Sequence, residues 1–483
     1  MVDSQPKGED LMTDEAEKLP LREKISYGFG DLASVLFWQT FMLYFTYFYT
    51  DIFLIPASVA ATLFLVSRIW DGLNDPMMGM IADRTKTRWG HFRPYLLWIC
   101  VPFAVAGVLT FTVPDFGPTG KLIWAYATFN LMMMLYTAIN IPYTALLGVI
   151  SPNSSERTTV SSVKFLFAFG AGIIVSATLL PMVKGLGAGN DARGWQLSFV
   201  VYGIAAIIFF LIAFLGTRER VQPPKDQKSS IKQDIYELLT NKPWLILLAT
   251  TITFILFVAV RSSVTVHYFK YFVRTQTLTL PFLGTQTYDF ETLTSAYNTV
   301  GQLSSLIGVL AVSWFARKVG KKRAFMIIFV IAIVGTGANF FLTPDQIPLL
   351  FFFQIIGSLT GGPLSVLLWA MYADSADYGE WKRGRRTTGL VFSASTMSQK
   401  IGWALGAFVA LTLMSQVGFE PNQAQSEGSL SGLVLLFSLI PAAFGVLAMG
   451  IAFFYPLSDK RVDEMGAELA ERRKATGAEP GGS

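Results

Sequence analysis

The stretch FLVSRIWDGLNDPMMGMIAD, from Phe64 to Asp83, places Arg68, Asp71 and Asp75 inside an apolar segment long enough to cross a bilayer. Each ionised side chain at lipid depth costs about 3 kcal/mol on insertion scales, so these groups need compensation. Asp71 and Asp75 are four residues apart and project from one face of a helix, with Asn74 beside them. Two neighbouring carboxylates in a poorly solvated site either share a proton or are neutralised by a cation. The spacing therefore indicates a cation site, and a structural salt bridge from Arg68 to Asp71 is the competing interpretation.

The composition indicates that this segment belongs to a membrane protein. Of 483 residues, 52% are hydrophobic and only 15% are charged, which is too little charge to cover a water-soluble surface of this size. Apolar runs recur along the chain, and hydropathy predicts an all-α integral membrane protein with about twelve transmembrane helices. The predicted spans are Gly28 to Thr50, Ser58 to Ile81, Pro94 to Val113, Leu122 to Ile150, Val160 to Val183, Leu197 to Gly216, Trp244 to Phe269, Thr292 to Phe315, Ala324 to Leu342, Pro348 to Met371, Leu390 to Met414 and Leu430 to Tyr455.

Loop charge predicts the orientation in the membrane. Loops rich in Lys and Arg follow the second, sixth, eighth and tenth spans, and the alternate loops are poorer in both. The positive-inside rule makes the basic loops cytoplasmic, and an even number of spans places both termini on that side. The net charge of +5 thus reflects topology, and we expect no nucleic-acid partner.

The polar connection Thr217 to Pro243 divides the spans into six and six. The basic loops after the second and eighth spans add a weak internal symmetry, as expected of a transporter built from repeated halves. The predicted domains are an N-terminal cytoplasmic tail at 1–24, a six-helix bundle at 25–216, a cytoplasmic loop at 217–243, a second bundle at 244–455 and a cytoplasmic tail at 456–483. The first of these has no apolar core before a small-residue cleavage site, so we expect no cleavable signal peptide.

The sequence does not indicate an enzyme. It contains only two histidines and one cysteine, without metal-ligand spacing, and no glycine-rich loop of the kind that cradles phosphate. We therefore expect no cofactor apart from a coupling ion, Na⁺ or H⁺.

Other polar groups within the spans are candidates for substrate contact. Lys400 lies in the eleventh span, Arg261 in the seventh and Asn140 in the fourth. Charged groups at this depth face a cavity or a partner, whereas an isolated Asn commonly joins two helices. Trp38 in the first span could stack on a sugar ring, although interfacial aromatics are ordinary membrane anchors.

Seven segments together resemble one family of transporters, the glycoside-pentoside-hexuronide:cation symporters, which form the melibiose permease branch of the major facilitator superfamily. The resemblance runs from Lys24 to Tyr455. It is carried by KISYGFGD, YTDIF, TLFLVSRIWDGLNDPMMG, RWGHFRPY, INIPY, ADSADYGEWKRGRR and STMSQK.

The resemblance implies the major facilitator fold, in which two six-helix bundles alternate access to a cavity that holds a cation and a sugar. The family's sodium ligands fall on Asp71, Asn74, Asp75 and Thr137, and all four match. The resemblance therefore implies that Na⁺ binds at Asp71 and Asp75.

The family's sugar site is only partly retained. Lys400, Thr396 and Tyr136 match, but the two galactoside-binding aspartates fall on Val35 and Asn140. The aromatic sugar contacts fall on Thr144 and Ser365, and an intramembrane Arg falls on Phe165, next to Lys164. Because acidic groups are lost while Lys400 and Arg261 are present, an acidic sugar becomes plausible as cargo. The predicted substrate contacts are Trp38, Tyr136, Asn140, Thr144, Arg261, Thr396 and Lys400.

Charged residues on the cytoplasmic side are predicted to form an inner gate of ion pairs between the bundles. A solvated charged face is the competing interpretation, because exposed ion pairs are individually weak. The predicted gate consists of Asp83, Arg84, Arg157, Asp374, Asp377, Glu380, Arg383 and Arg385.

These observations predict a monomeric secondary active symporter in a bacterial inner membrane, which couples Na⁺ or H⁺ entry to uptake of a glycoside or uronide. A lysolipid carrier of the same fold and a membrane sugar sensor that does not transport are the alternatives.

Overall fold

The computed structural model describes residues 18–221, 236, 238–280, 284–384 and 388–475. Long helices make up most of these ranges. The helices are α1 (Leu21–Tyr47), α2 (Ala57–Arg84), α3 (Arg93–Thr110), α4 (Pro118–Val149), α5 (Ser154–Gly187), α6 (Asp191–Gly216), α7 (Lys242–His267), α8 (Phe290–Val319), α9 (Lys321–Gly337), α10 (Ile347–Arg383), α11 (Thr388–Gln416), α12 (Glu427–Phe437), α13 (Leu439–Phe453) and α14 (Asp459–Ala475).

The predicted number of spans is confirmed. Nine helical segments in the described ranges are long and apolar enough to cross a membrane, with α12 and α13 forming one of them. Helices α1, α2 and α11 have 27, 28 and 29 residues, and nine plus three gives twelve. Large apolar side chains such as Leu215 and Leu310, both 76% exposed, are suited to contact with lipid.

Local sequence signals set several helix ends. Asn241 accepts a hydrogen bond from the backbone N–H of Trp244 at 3.2 Å and so caps α7, and Asp289 caps α8 through the N–H of Thr292 at 2.9 Å. Gly320, with φ of +91°, separates α8 from α9 because this backbone conformation is strained for other residues.

Some elements differ from the prediction. Helix α10 continues past the predicted end at Met371 to Arg383, so its polar last turns stay helical beyond the apolar run. Helix α14 lies within the predicted tail at 456–483. A two-stranded antiparallel hairpin of β1 (Gln276–Leu280) and β2 (Gly284–Tyr288) follows α7, and membrane hydropathy has no signal for such a short polar element.

The chain forms two compact units. The first unit contains Met1–Phe41 and Ile69–Gln227, and the second contains Met42–Arg68 and Lys228–Ser483. Residues 42–68 thus belong to the second unit, although they lie within the predicted bundle 25–216. The division of the chain into bundles 25–216 and 244–455 stays a prediction.

Each unit has its own helix packing. In the first, α3 packs against α4 and α6, and α5 packs against α6. In the second, α7 packs against α11 and α13, and α10 packs against α8 and α9. Helix α4 carries the predicted substrate contact Tyr136 and the predicted cation ligand Thr137.

Candidate functional site

The carboxylates of the opening motif lie on the part of α2 that belongs to the first unit. Asp71 is 1% exposed, and Asp75, one helical turn later, is partly buried. Thr137 on α4 lies opposite them, with its hydroxyl oxygen 3.0 Å from an oxygen of Asp71 and 3.0 Å from an oxygen of Asp75. The structure therefore brings together three oxygens from two helices that are more than 60 residues apart in sequence.

The chemistry of these three oxygens is suited to binding a positive charge. A threonine hydroxyl has one hydrogen to donate, so it satisfies one carboxylate at a time. Two ionised carboxylates against the same hydroxyl repel each other in a poorly solvated site, unless a proton or cation neutralises them. Carboxylate and hydroxyl oxygens are also the ligand type that a small hard cation prefers. This set can bind either a proton or Na⁺.

The neighbouring predicted residues differ in their surroundings. Asn74 is partly buried on the same helix. Arg68 is 3% exposed, and its guanidinium carbon lies 4.9 Å from the centre of the Phe64 ring. Within the described ranges, no three His, Cys, Asp or Glu side chains form a group suited to a metal ion, and the set at Asp71 has only two carboxylates.

The predicted substrate contacts of the first unit lie on α1 and α4. The rings of Trp38 and Tyr136 stack, with centroids 5.3 Å apart and an interplanar angle of 28°. Asn140 is partly buried and donates a hydrogen bond to the backbone carbonyl of Tyr136 at 3.2 Å, whereas Thr144 is exposed. Trp38, Tyr136 and Asn140 therefore form a compact group, with Thr144 one turn further along α4.

Arg261, in the second unit, is surrounded by neutral polar groups. It donates to the hydroxyl of Thr336 at 2.9 Å and to the hydroxyl of Tyr297, and its guanidinium carbon lies 4.6 Å from the centre of the Phe437 ring. The side-chain oxygen of Gln354 is 3.5 Å away. Its role in binding substrate stays a prediction, because these contacts are equally suited to holding five helices together.

The other predicted contacts of the second unit lie on α11. Thr396 is exposed, and its hydroxyl donates to the carbonyl of Phe392 at 3.0 Å. Lys400, one turn later, is partly buried. The spacing of four residues places both side chains on one face of α11.

The predicted gate residues are spread over both units. Asp83 and Arg84 are exposed at the end of α2, and Arg157 donates to the backbone carbonyl of Ser151 at 3.0 Å. Asp374 is paired inside its own unit, with Lys321. Ion pairing between bundles stays a prediction, and one of its members, Arg385, lies outside the described residues. The other three, Asp377, Glu380 and Arg383, are partly buried on α10.

The sequence-based prediction missed a buried polar cluster in the second unit. The carboxylate of Asp51 and the ring of His267 are both fully buried, and His267 Nε2 lies 2.9 Å from Asp51 Oδ2. Lys270 Nζ lies 2.8 Å from Asp51 Oδ1, which also accepts a hydrogen bond from the hydroxyl of Tyr271. Asn422 donates to the backbone carbonyl of Asp51 at 2.7 Å. We name this set the Asp51 cluster.

Two π-helical turns position the Asp51 cluster. Phe48–Ile52 follows α1 and Tyr268–Val273 follows α7. Wide turns of this kind commonly occur at functional sites, because they redirect side chains that a regular helix would separate. The available sequence signal was an acidic residue at the end of the first span and a His and a Lys at the end of the seventh.

A second missed pair lies in the first unit, between Asp31 on α1 and Lys164 on α5. The Lys164 nitrogen is 3.7 Å from an oxygen of Asp31 and 5.4 Å from the centre of the Tyr143 ring. The signal was present in the sequence, as one acid and one base within apolar spans.

Long helices of membrane-spanning length that carry buried acidic and basic groups are typical of membrane transporters. The chain belongs to the MFS/sugar transport protein family, whose sequence profile matches residues 26–459. It is therefore a sugar transporter of the major facilitator superfamily, as its resemblance to the symporters predicted.

Similar proteins agree with this assignment. The isoprimeverose transporter of Lactiplantibacillus pentosus is 36% identical over 463 residues, which cover 94% of this chain and 92% of the relative. The putative glycoside/cation symporter YagG of Escherichia coli (strain K12) is 33% identical over 462 residues, which cover 95% and 97% of the two chains. These relatives are transporters, which confirms that the chain is not an enzyme.

A solved structure supports the fold. It comes from work on substrate recognition in proton-dependent oligopeptide transporters, and it matches 92% of this chain and 99% of that chain with a TM-score of 0.66. The sequence identity is 11%, so this likeness concerns the fold alone.

Proposed function

We propose that this protein is a secondary active symporter that couples entry of Na⁺ or H⁺ to uptake of a glycoside or uronide by alternating access. The observation that carries the proposal is the convergence of Thr137 on Asp71 and Asp75, with both distances at 3.0 Å. Two carboxylates at lipid depth must be neutralised, so a cation or proton that binds between them gains favourable electrostatic energy. We further propose that the protein acts as a monomer in a bacterial inner membrane, with both termini in the cytoplasm.

The names of two relatives support a neutral glycoside as cargo. Isoprimeverose is an uncharged disaccharide, and the second relative is described as a putative glycoside/cation symporter. An acidic sugar is favoured instead by the positive charge of Lys400 on α11, because an ammonium group in low dielectric attracts a carboxylate. Both cargoes are consistent with the same cation site.

Uptake into liposomes tests the proposal. Purified protein is reconstituted, an inward gradient of Na⁺ or H⁺ is imposed, and entry of radiolabelled isoprimeverose, methyl glucoside and methyl glucuronide is followed. We expect accumulation above the external concentration for at least one sugar and with one of the two ions. Sugar entry that stops once the internal and external sugar concentrations are equal, under both ion gradients, would contradict symport. Binding of sugar without entry would indicate a sensor.

The charge of the cargo is tested at Lys400. We expect Lys400→Gln to weaken binding of methyl glucuronide more than that of methyl glucoside, because loss of a hydrogen bond between charged groups costs about 1.5 to 3 kcal/mol. The measurement is competition by each sugar against uptake of a labelled substrate. Lys382→Gln, an exposed Lys near the end of α10, is the control. Equal losses of affinity for the two sugars would show that Lys400 does not bind a carboxylate of the cargo.

A further inference from the structure

Arg261 carries a positive charge within α7, and its polar partners in the second unit are all neutral. Its guanidinium donates to the hydroxyls of Thr336 and Tyr297, and the side-chain oxygen of Gln354 lies 3.5 Å away. Within the described ranges it forms no ion pair with a carboxylate. A charged side chain at lipid depth is costly unless an opposite charge or a ligand compensates it. Neutral partners hold the guanidinium but leave its charge in place.

These partners hold the guanidinium inside the helical part of the second unit. Tyr297 and Gln354 each lie seven residues after the first residue of their helices, α8 and α10, which is about 10 Å along the axis. Arg261 lies six residues before the end of α7, which is about 9 Å. The charge is therefore within the helical segments, and it does not lie at a helix end.

The group has more hydrogen-bond donors than acceptors. A guanidinium has five N–H groups, and Arg261 uses three of them on its neutral partners. The hydroxyls of Thr336 and Tyr297 accept from the guanidinium, so each keeps its own hydrogen, and in the described part of the chain neither hydroxyl donates to an acceptor. Both residues are 1% exposed. Buried donors without an acceptor are costly, and a negatively charged acceptor satisfies them and the guanidinium together.

Space for a ligand lies beside Gly357 on α10. Outside its own stretch of helix, the one described heavy atom within 4 Å of a Cβ built at this glycine is Nη1 of Arg261, at 3.9 Å. At Gly301, in contrast, a Cβ would lie 2.3 Å from the amide nitrogen of Gln354. The Phe437 ring covers one face of the guanidinium, with its centre 4.6 Å from the guanidinium carbon. The edge of the guanidinium that carries Nη1 is therefore open to a ligand.

We propose that Arg261, Tyr297 and Thr336 form a binding site for a small monovalent anion beside Gly357. Chloride from solution and the carboxylate of an acidic solute share the required chemistry, because each carries one negative charge and accepts several hydrogen bonds. Either anion compensates the guanidinium and supplies the acceptor that the two hydroxyls lack. The inference goes beyond the proposed function, because it does not depend on which ion or sugar is transported.

The melting temperature of the purified protein measures binding of the anion. Chloride replaces the bulky anion 2-(N-morpholino)ethanesulfonate at constant ionic strength, so that only the identity of the anion changes. We expect the wild-type melting temperature to rise with chloride until the site is saturated, and we expect Arg261→Gln to abolish this rise. A rise of equal size in the variant would overturn the inference. So would a wild type that responds neither to chloride nor to methyl glucuronide.

Methyl glucuronide separates the two sources of the anion. If chloride alone raises the melting temperature, the ligand is an inorganic anion. If methyl glucuronide raises it in the wild type but not in Arg261→Gln, and chloride has no effect, the ligand is the carboxylate of a solute. Methyl glucoside has no carboxylate and is the comparison. Equal shifts with the glucoside and the glucuronide, without a response to chloride, would overturn the inference.

An arginine with a carboxylate partner provides the matched control. Arg220 donates to both carboxylate oxygens of Glu23, at 2.7 and 2.8 Å. Arg220→Gln removes the same charge as Arg261→Gln, but we expect it to keep the wild-type response to the anion, because Glu23 already compensates that arginine. Loss of the response in Arg220→Gln would overturn the inference.

A variant that keeps Arg261 tests the site independently, and it serves if Arg261→Gln fails to fold. Tyr297→Phe retains the ring and removes one hydroxyl donor. We expect the half-saturating concentration of the anion to rise about tenfold, because a hydrogen bond to a charged group is lost. An unchanged half-saturating concentration in Tyr297→Phe would overturn the inference.

Discussion

Replacement of Asp75 by Asn is expected to abolish ion-driven accumulation of sugar while exchange of sugar down its gradient survives. The variant removes one of the two carboxylates that converge on the Thr137 hydroxyl, and with it a negative charge that the proposed coupling ion would neutralise. The remaining single charge of Asp71 attracts a cation much less strongly. The measurement compares concentrative uptake with equilibrium exchange in the same proteoliposomes.

Two further variants serve as comparisons for Asp75→Asn. Asp115→Asn removes an exposed acid from the loop between α3 and α4, outside the predicted gate, and should leave accumulation unchanged. Thr137→Val removes the shared hydroxyl but keeps both charges, so we expect accumulation to persist with the half-saturating ion concentration raised about tenfold. If the ion that drives accumulation in the wild type stimulates uptake by the Asp75→Asn protein to the same extent, the assignment of the cation site is refuted.

The second large effect is expected at Asp51. Asp51→Asn leaves Lys270 without the carboxylate that compensates it, and breaking a buried ion pair in this way costs about 3 to 5 kcal/mol. His267 and Tyr271 also lose an ionised acceptor. We therefore expect a clearly lower melting temperature and faster hydrogen exchange in both π-helical turns, Phe48–Ile52 and Tyr268–Val273.

An exposed acid with two basic neighbours provides the comparison. Glu464 on α14 lies 3.9 Å from Lys460 and 3.2 Å from Arg461, and its side chain is 43% exposed. Solvent screens these pairs, so Glu464→Gln should change the melting temperature little. Equal stability of the Asp51 and Glu464 variants would show that the buried cluster contributes no more than a surface pair.

Features that depend on spacing within one segment can be predicted from the amino-acid sequence alone. Apolar runs of membrane-spanning length predict the helices, because a backbone at lipid depth must satisfy its hydrogen bonds internally. The period of the helix places Asp71 and Asp75 on one face before any partner is known. Charge is costly within an apolar segment, so its presence there makes both residues candidates for a functional role.

The residues that lie opposite these side chains, distant in sequence, could be identified only from how the helices pack. Thr137 was assigned from the family resemblance, and its position against both carboxylates depends on how α4 packs on α2. His267 and Lys270 lie more than 200 residues from Asp51, and no local pattern joins them. The pairing of Asp31 with Lys164 likewise depends on the packing of α5 beside α1. A side chain's partners across helices are set by packing, which the period of a single helix does not encode.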